Sequence, residues 1–87
     1  MYNVDFVPSA AREHKKLPAD ARKVITRVLG GALALDPFSR ALNTKKLEQP
    51  LSGYRLRIGD YRVLYTVDTK RKQIVVYRVR HRKDAYK

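Results

Sequence analysis

The 87 residues of this chain predict a small α+β fold: a twisted antiparallel sheet with an N-terminal helical hairpin packed on one face, in the order β-α-α-β-β-β. Alternating apolar and polar residues near the N-terminus and throughout the second half predict strands. Between them, apolar residues at spacings of three and four predict a helix. A Gly-Asp pair joins two of the alternating runs and suits a two-residue hairpin turn. Hairpin connections make neighbouring strands antiparallel, which leaves one sheet face for the helices.

The first half supplies one strand and two helices. Residues 2–7 alternate, and Pro8 ends this strand. Ser9 suits an N-cap, residues 10–17 are rich in helix formers, and Pro18 closes this first helix or forces a turn. The second helix is expected to begin near residues 18–20. Its apolar stripe consists of Ala21, Ile25, Val28, Ala32 and Leu35.

Two breaks in the helical pattern set its limits. Gly30-Gly31 interrupts the second helix at about 1 kcal/mol per glycine relative to alanine, so either something packs closely there or the helix is weak at that turn. Asp36-Pro37 ends the pattern. Residues 38–53 then predict a loop, with at most a short strand around Lys46-Leu47.

The second half predicts three strands. The first two cover residues 54–58 and 61–68 and are joined by Gly59-Asp60. A polar turn at residues 69–72 leads to a strand over residues 73–81, whose apolar centre favours a position inside the sheet. Residues 82–87 are expected to form an edge segment or a single helical turn.

Charge is the unusual feature of the composition. Twenty Lys and Arg against eight Asp and Glu give +12, of which +4 falls in residues 1–53 and +8 in residues 54–87. This predicts a nucleic-acid binder, with its binding face in the second half, or a protein that needs an acidic partner. There is no cysteine, no signal peptide and no membrane-spanning run. We therefore expect a single cytoplasmic domain over residues 1–87 that does not bind a membrane.

The candidate site centres on three arginines of the predicted hairpin. Arg55 and Arg57 alternate with apolar residues on one strand, and Arg62 lies on the next. Arginine on the wet face of a sheet is common, and nearby carboxylates could pair with it. However, three neighbouring guanidiniums repel one another unless an anion is present, and their planar forks suit phosphate oxygens. The trio is therefore a candidate phosphate clamp.

Several other residues could extend or complete this site. His81 ends a basic strand and is a candidate general acid or base, because histidine titrates near neutral pH. Tyr86 could stack on a nucleobase, or could simply anchor the terminus. His14 is expected to be structural or exposed. A further group is expected to contribute to an RNA-binding field: Lys45, Lys46, Arg78, Arg80 and Lys83.

The sequence lacks the residues that several kinds of catalytic site need. The chain has no Gly-rich phosphate loop, no HExxH or His-x-Glu spacing and no carboxylate pair placed to hold magnesium. No metal or cofactor is therefore expected. A nuclease built on this chain would be metal-independent and would use the RNA 2′-hydroxyl as its nucleophile. It would need to orient the phosphodiester, stabilise charge on its oxygens and move two protons.

The segment YRLRIGDYRVLY, followed by a polar turn, an apolar strand and the ending VRHRKDAY, closely resembles the RelE/ParE superfamily of bacterial toxins. The upstream fragments FVPSAA and KKLP extend the similarity over nearly the whole chain. The resemblance implies a toxin of a toxin–antitoxin pair. On the RelE branch, it implies ribosome-dependent cleavage of mRNA in the A site, which leaves a cyclic phosphate and a 5′-hydroxyl. It also implies neutralisation by a cognate antitoxin. We expect this antitoxin to be acidic and to cover the basic sheet.

The resemblance also implies residue roles. Arg55, Arg57 and Arg62 would hold and polarise the scissile phosphate, His81 or Arg82 would transfer a proton to the leaving 5′ oxygen, and Tyr86 would stack on or orient the substrate. Lysine often occupies the positions of Arg55 and Arg57 in the family, and arginine cannot replace a lysine base because it effectively never deprotonates.

The base is therefore either His81 or no side chain at all, with orientation and electrostatics activating the hydroxyl. Two other functions stay open: a ParE-like, non-catalytic poison of DNA gyrase, and a plain basic RNA-binding module.

Overall fold

A five-stranded sheet forms the centre of the computed structural model, which describes residues 1–48, 52–81 and 83. The strands lie in the order β1-β5-β4-β3-β2. Their bounds are β1 Asn3–Phe6, β2 Thr44–Lys46, β3 Tyr54–Ile58, β4 Tyr61–Asp68 and β5 Gln73–His81. The three long strands of the second half therefore match the expected ranges. In the described part of the chain, no helix has the length and apolar character needed to cross a membrane.

The sheet is mixed, whereas the sequence predicted an antiparallel one. β2, β3, β4 and β5 pair antiparallel, but β1 pairs parallel to β5, with Asn3 opposite Gln73 and Phe6 opposite Val76. The chain between β1 and β5 contains both helices and the other three strands, which is long enough for the crossover that a parallel pair needs. β5 is thus an interior strand along its first half, as its apolar centre predicted.

The two helices are α1, Pro8–Lys15, and α2, Ala19–Val28. The expected N-cap at Ser9 was wrong: Val7 occupies the cap in an extended conformation, and Pro8 is already helical. Proline fits the first turn because that turn's N–H groups have no intrahelical acceptor. The helix therefore begins two residues earlier than predicted.

The glycine pair changes the helix rather than marking a close contact. Residues Leu29–Leu33 continue α2 as a π-helical turn, which places Leu29 and Leu33 in the core. A Cβ added at Gly30 or Gly31 would meet nothing within 4 Å. The structure therefore supports a locally weakened helix and excludes close packing as the reason for these glycines.

The core lies between the helices and one face of the sheet. Apolar residues of α1, α2 and the π-helical turn pack against Leu56, Val63, Tyr65, Ile74, Val76 and Val79, each no more than 1% exposed. The Tyr65 hydroxyl donates a 2.6 Å hydrogen bond to the carbonyl of Pro37, which ties the loop after the helices to the sheet. The opposite sheet face has no helix over it among the described elements.

Candidate functional site

The sheet face opposite the helices carries basic side chains in two adjacent rows. One row crosses the sheet through Lys45, Arg55, Leu64 and Arg78, which are register partners on β2, β3, β4 and β5. The next row crosses through Arg57, Arg62 and Arg80. The six basic residues of these two rows are called the arginine face below: Lys45, Arg55, Arg57, Arg62, Arg78 and Arg80.

Strand geometry brings these cations within reach of one small anion. Directly opposite residues of an antiparallel pair have Cβ atoms about 5 Å apart, and residues i and i+2 on one strand lie about 7 Å apart. Arg57 is directly opposite Arg62, and Arg62 is directly opposite Arg80. A phosphate over this row could therefore accept hydrogen bonds from more than one guanidinium.

One apolar residue interrupts the basic rows. Leu64 lies between Arg55 and Arg78 in the register and is only 1% exposed, although it does not belong to the main core cluster. Its register neighbours Arg55 and Arg78 have long apolar stems, which can cover apolar surface. We therefore expect Leu64 to form an apolar base beneath the stems of Arg55 and Arg78.

Three of the six cations of the arginine face are not neutralised by a described carboxylate. Among the described residues, Arg57, Arg62 and Arg78 form no ion pair with a carboxylate. The Nε atom of Arg62 is buried with no hydrogen-bond partner in the described structure, and its Nη1 atom lies 3.5 Å from the neighbouring carbonyl of Tyr61. Arg80 differs, because its Nε donates a 2.7 Å bond to Glu13.

A polar cavity of about 280 Å³ opens at the β2 side of this face. Asn43, Thr44, Lys45, Arg55 and Arg57 line it. Asn43 has a left-handed φ of 57°, which asparagine tolerates better than most residues, and its carbonyl accepts a bond from Arg57 N–H at 3.4 Å. The cavity extends the cationic surface beyond the two rows.

His81 lies on the other face of the sheet. Its register partner is Tyr61, and the two rings make an edge-on contact with centroids 5.5 Å apart. Tyr61 packs against the core, so strand alternation directs His81 toward the helix side while Arg80 faces away from it. The His81 Nδ1 accepts a 3.3 Å bond from Lys83 N–H. The structure therefore brings the arginines together without the imidazole.

Comparison with known proteins decides the family. A family model described as the ParE toxin of type II toxin–antitoxin systems, parDE, matches residues 4–86. This chain belongs to that family. The superfamily resemblance found in the sequence is thereby confirmed, and the chain is a RelE/ParE toxin of a toxin–antitoxin system.

Named relatives place this toxin near RelE proteins. Toxin RelG of Mycobacterium tuberculosis is 33% identical over 87 residues, which cover 99% of this chain and 97% of RelG. The toxin–antitoxin complex RelBE2 of the same organism contains a chain with 32% identity and a TM-score of 0.83, covering 92% of this chain and 96% of that one. The archaeal RelE–RelB complex of Pyrococcus horikoshii gives 30% identity and a TM-score of 0.80, with 97% and 98% covered. These matches confirm the predicted α+β fold.

The remaining predicted site residues of the toxin fall in three places. Lys46 pairs with Tyr54, a core-packed residue, so alternation points it toward the helix side. Lys83 is exposed just beyond β5. Arg82 and Tyr86 lie outside the described residues. The arginine trio, Lys45, Arg78 and Arg80 are the predicted residues that share one face.

Three residues of the site were missed by sequence reasoning. Leu64 looks like an ordinary core residue in the strand pattern, although β4 carries two consecutive buried residues, Val63 and Leu64, which indicates burial on both faces. Asn43 stands directly before β2, and an asparagine ahead of a strand is a weak turn signal. Glu13 gave no signal, because its partners on β5 are 66 and 67 residues away.

Proposed function

We propose that this toxin is a metal-independent endoribonuclease of the RelE kind, which cleaves mRNA in the ribosomal A site and so inhibits translation in the cytoplasm. The observation that supports it best is the register of Arg57, Arg62 and Arg80 in one row, with Arg55 and Arg78 beside them. The similarity to toxin RelG, at 33% identity, and to chains of two RelE–RelB complexes, at 32% and 30% identity, also supports the proposal.

The proposed reaction uses the substrate's own nucleophile. The 2′ oxygen attacks the adjacent phosphorus, a 2′-O–P bond forms, and the P–O5′ bond breaks, which leaves a cyclic phosphate and a free 5′-hydroxyl. One proton leaves the 2′-hydroxyl and one reaches the 5′ oxygen. Negative charge grows on the non-bridging oxygens, and Arg57 and Arg62 would stabilise it there. Arg55, Arg78 and Lys45 would hold the flanking backbone.

The position of His81 favours catalysis by orientation and charge over a histidine base at the 2′-hydroxyl. Its ring contacts Tyr61 on the opposite face from the arginines. His81, which is the last residue of β5, or Arg82 would instead serve the leaving 5′ oxygen, and Tyr86 would orient the substrate. If His81 transfers this proton, His81→Ala should slow cleavage by about 10²-fold.

The direct test is cleavage of a defined message on purified translating ribosomes, with the cut ends mapped for a cyclic phosphate and a 5′-hydroxyl. Wild-type toxin should cut there and leave naked RNA mostly intact. Arg62→Ala should slow cleavage by about 10²-fold or more, as expected for loss of an electrostatic stabiliser. Arg71→Ala is the matched control, since Arg71 lies in the β4–β5 turn and pairs only loosely with Asp68 at 3.9 Å. A folded but inactive wild type would overturn the proposal.

The ParE description of the matching family favours a second candidate, a non-catalytic poison of DNA gyrase. It predicts gyrase-dependent DNA breaks in cells that produce the toxin, with intact messages. Mapping the 5′ ends of cellular messages after brief induction, together with counting DNA breaks, separates the two. A plain RNA-binding module would give neither result.

We further propose that a cognate acidic antitoxin neutralises the toxin by covering the arginine face. Related RelE chains were solved as complexes with RelB antitoxins. The +8 charge of residues 54–87 gives an acidic segment its attraction to this surface. Co-expression from the native gene pair should yield a stable complex, and Arg57→Glu should weaken it. Growing cells that tolerate the active toxin without a partner would contradict this.

A further inference from the structure

Glu13 links α1 to the strand that carries Arg80. Its Oε1 accepts a 2.9 Å hydrogen bond from the N–H of Val79, and its Oε2 accepts a 2.7 Å bond from Arg80 Nε. Both charged side chains are partly shielded, with 25% of Glu13 and 33% of Arg80 exposed. This is the shorter of the two ion pairs given by the described residues, the other being Arg71–Asp68 at 3.9 Å.

The open edge of β5 explains why Glu13 can reach this strand. β1 pairs with β5 only as far as Phe6 opposite Val76, and the chain then turns into α1. Val79 lies beyond that pairing, so its N–H would lack a strand partner on this side. The Glu13 carboxylate satisfies the N–H and reaches around the strand to Arg80 with its second oxygen. The Glu13 side chain thus accepts hydrogen bonds from both the strand-edge N–H and the guanidinium.

The bond from Glu13 determines where the Arg80 charge lies. Arg80 completes the row with Arg57 and Arg62, where three guanidiniums repel one another. A carboxylate on Nε fixes the plane of the guanidinium and leaves its two terminal nitrogens for another acceptor. It also places one negative charge beside the row, which offsets part of the repulsion.

We propose that Glu13 is a positioning residue, which holds Arg80 beside Arg62 so that the row meets one phosphate in a fixed geometry. This inference rests on the proposed ribonuclease function. The competing explanation is that Glu13 only closes the strand edge through Val79. That explanation predicts a loss of stability on mutation with no specific link to Arg80.

Glu13→Gln separates these two roles. The amide oxygen can still accept from Val79 N–H, whereas the amide nitrogen is a donor and cannot accept from Arg80 Nε. We expect kcat on ribosome-bound message to fall about 10-fold with KM changed less than about 3-fold, because Arg80 would be misplaced mainly for the transition state. Asp68→Asn, which removes the carboxylate of the Arg71 pair, is the matched control and should cleave at the wild-type rate.

A double-mutant cycle then assigns the effect. In an Arg80→Ala background, Glu13→Gln should cause no further loss of kcat, since there is no guanidinium left to position. An equal loss in both backgrounds, or wild-type kcat in Glu13→Gln, would overturn the inference. Thermal unfolding of each variant checks the fold, and Glu13→Asp, which keeps the charge but is one methylene shorter, replaces Glu13→Gln if the amide does not fold. Inactive wild type in the same assay would instead defeat the proposed function itself, and the inference with it.

Discussion

The two faces of the sheet are built from the same strands but are covered differently. On one face, Leu56, Val63, Tyr65 and their neighbours are closed off by the helices. On the other, the arginine face carries two rows of cations with one buried apolar residue, Leu64, between them. Folding free energy comes mainly from the first face, since that is where apolar area leaves water.

The comparison shows how a chain of 87 residues can hold many like charges close together. Guanidiniums in adjacent register positions repel one another, and the Glu13 carboxylate beside Arg80 offsets part of this repulsion. Burial of apolar side chains on the helix-facing side stabilises the fold enough to tolerate this repulsion. Substitutions on the two faces should therefore separate stability from RNA binding.

The largest expected effect on stability is at Gly53, where β3 begins beside β4. Its φ is +94°, and an added Cβ would collide with the backbone carbonyl of Tyr65. Because that obstacle is backbone, Gly53→Ala should lower the free energy of unfolding by on the order of 3 kcal/mol in urea titration. Gly59→Ala is the control: its φ is +57° but nothing lies within 4 Å of the new Cβ, so we expect about 1 kcal/mol. Equal losses would contradict the packing argument.

The next effect compares two adjacent residues on opposite faces. Val63→Ala and Leu64→Ala should each destabilise the protein by about 2 kcal/mol, because both side chains are buried. Only Leu64→Ala should also weaken RNA binding, because it removes the apolar base beneath Arg55 and Arg78. Urea titration and RNA affinity, measured on both variants, test this. If Val63→Ala weakened binding as much, the two faces would not be functionally separate.

A smaller effect is expected from two tyrosine hydroxyls that each donate to a carbonyl. Tyr65 bonds to Pro37 at 2.6 Å within the core, and Tyr77 bonds to Ser52 at 2.7 Å on the exposed side. Tyr65→Phe leaves a buried carbonyl unsatisfied and should cost about 1 to 2 kcal/mol, whereas Tyr77→Phe should cost less than about 1 kcal/mol because water can replace its bond. Similar losses in urea titration would contradict the difference in burial.

The same hydroxyl predicts a pH dependence. Burial raises the pKa of Tyr65 above its usual value near 10, with smaller contributions from Tyr54 and Asp36. The unfolded chain then ionises first as the pH rises. The contribution of Tyr65 is therefore fully present below about pH 10 and is lost as the pH rises through the higher pKa of the folded state. Tyr65→Phe should flatten the fall in stability above pH 10, and an unchanged slope would contradict this assignment.

Local patterns predicted the parts of the fold that depend on local sequence. Alternation gave β3, β4 and β5, and Gly59-Asp60 gave the hairpin that places Arg57 opposite Arg62. The glycine pair in the second helix correctly indicated a weak turn, which the structure shows as a π-helical turn. The predicted start of α1 was wrong by two residues, because proline can end a strand or begin a helix and Pro8 was assigned to the end of the strand.

Long-range register was beyond the sequence. Tyr77 is an extra residue in β5, since Leu64 pairs with Arg78 and Tyr65 with Val76. Because of this irregularity, Arg78 and Arg80 lie on the arginine face and His81 does not. No residue type in the sequence predicts the position of the irregularity. The parallel pairing of β1 and the Glu13–Arg80 bond likewise join residues that are more than 60 positions apart. Hence the positive charge of the site could be predicted from the sequence, but the set of residues that share the arginine face could not.

The smallest expected effect is on salt dependence, and it tests the face comparison with two single cations. Arg57 points away from the helices, whereas Lys46 pairs with core-packed Tyr54 and points toward them. For a short single-stranded RNA, each lost phosphate contact should reduce the slope of log affinity against log salt by about 0.7.

Arg57→Gln should therefore reduce this slope by about 0.7, and Lys46→Gln should leave it unchanged, as measured by fluorescence anisotropy over a range of salt concentrations. Both substitutions remove one charge and so lower the net charge equally. A difference between them would have to come from position. If both reduced the slope by the same amount, RNA would be responding to the +12 charge of the whole chain, and the register of the arginine face would not determine where the backbone binds.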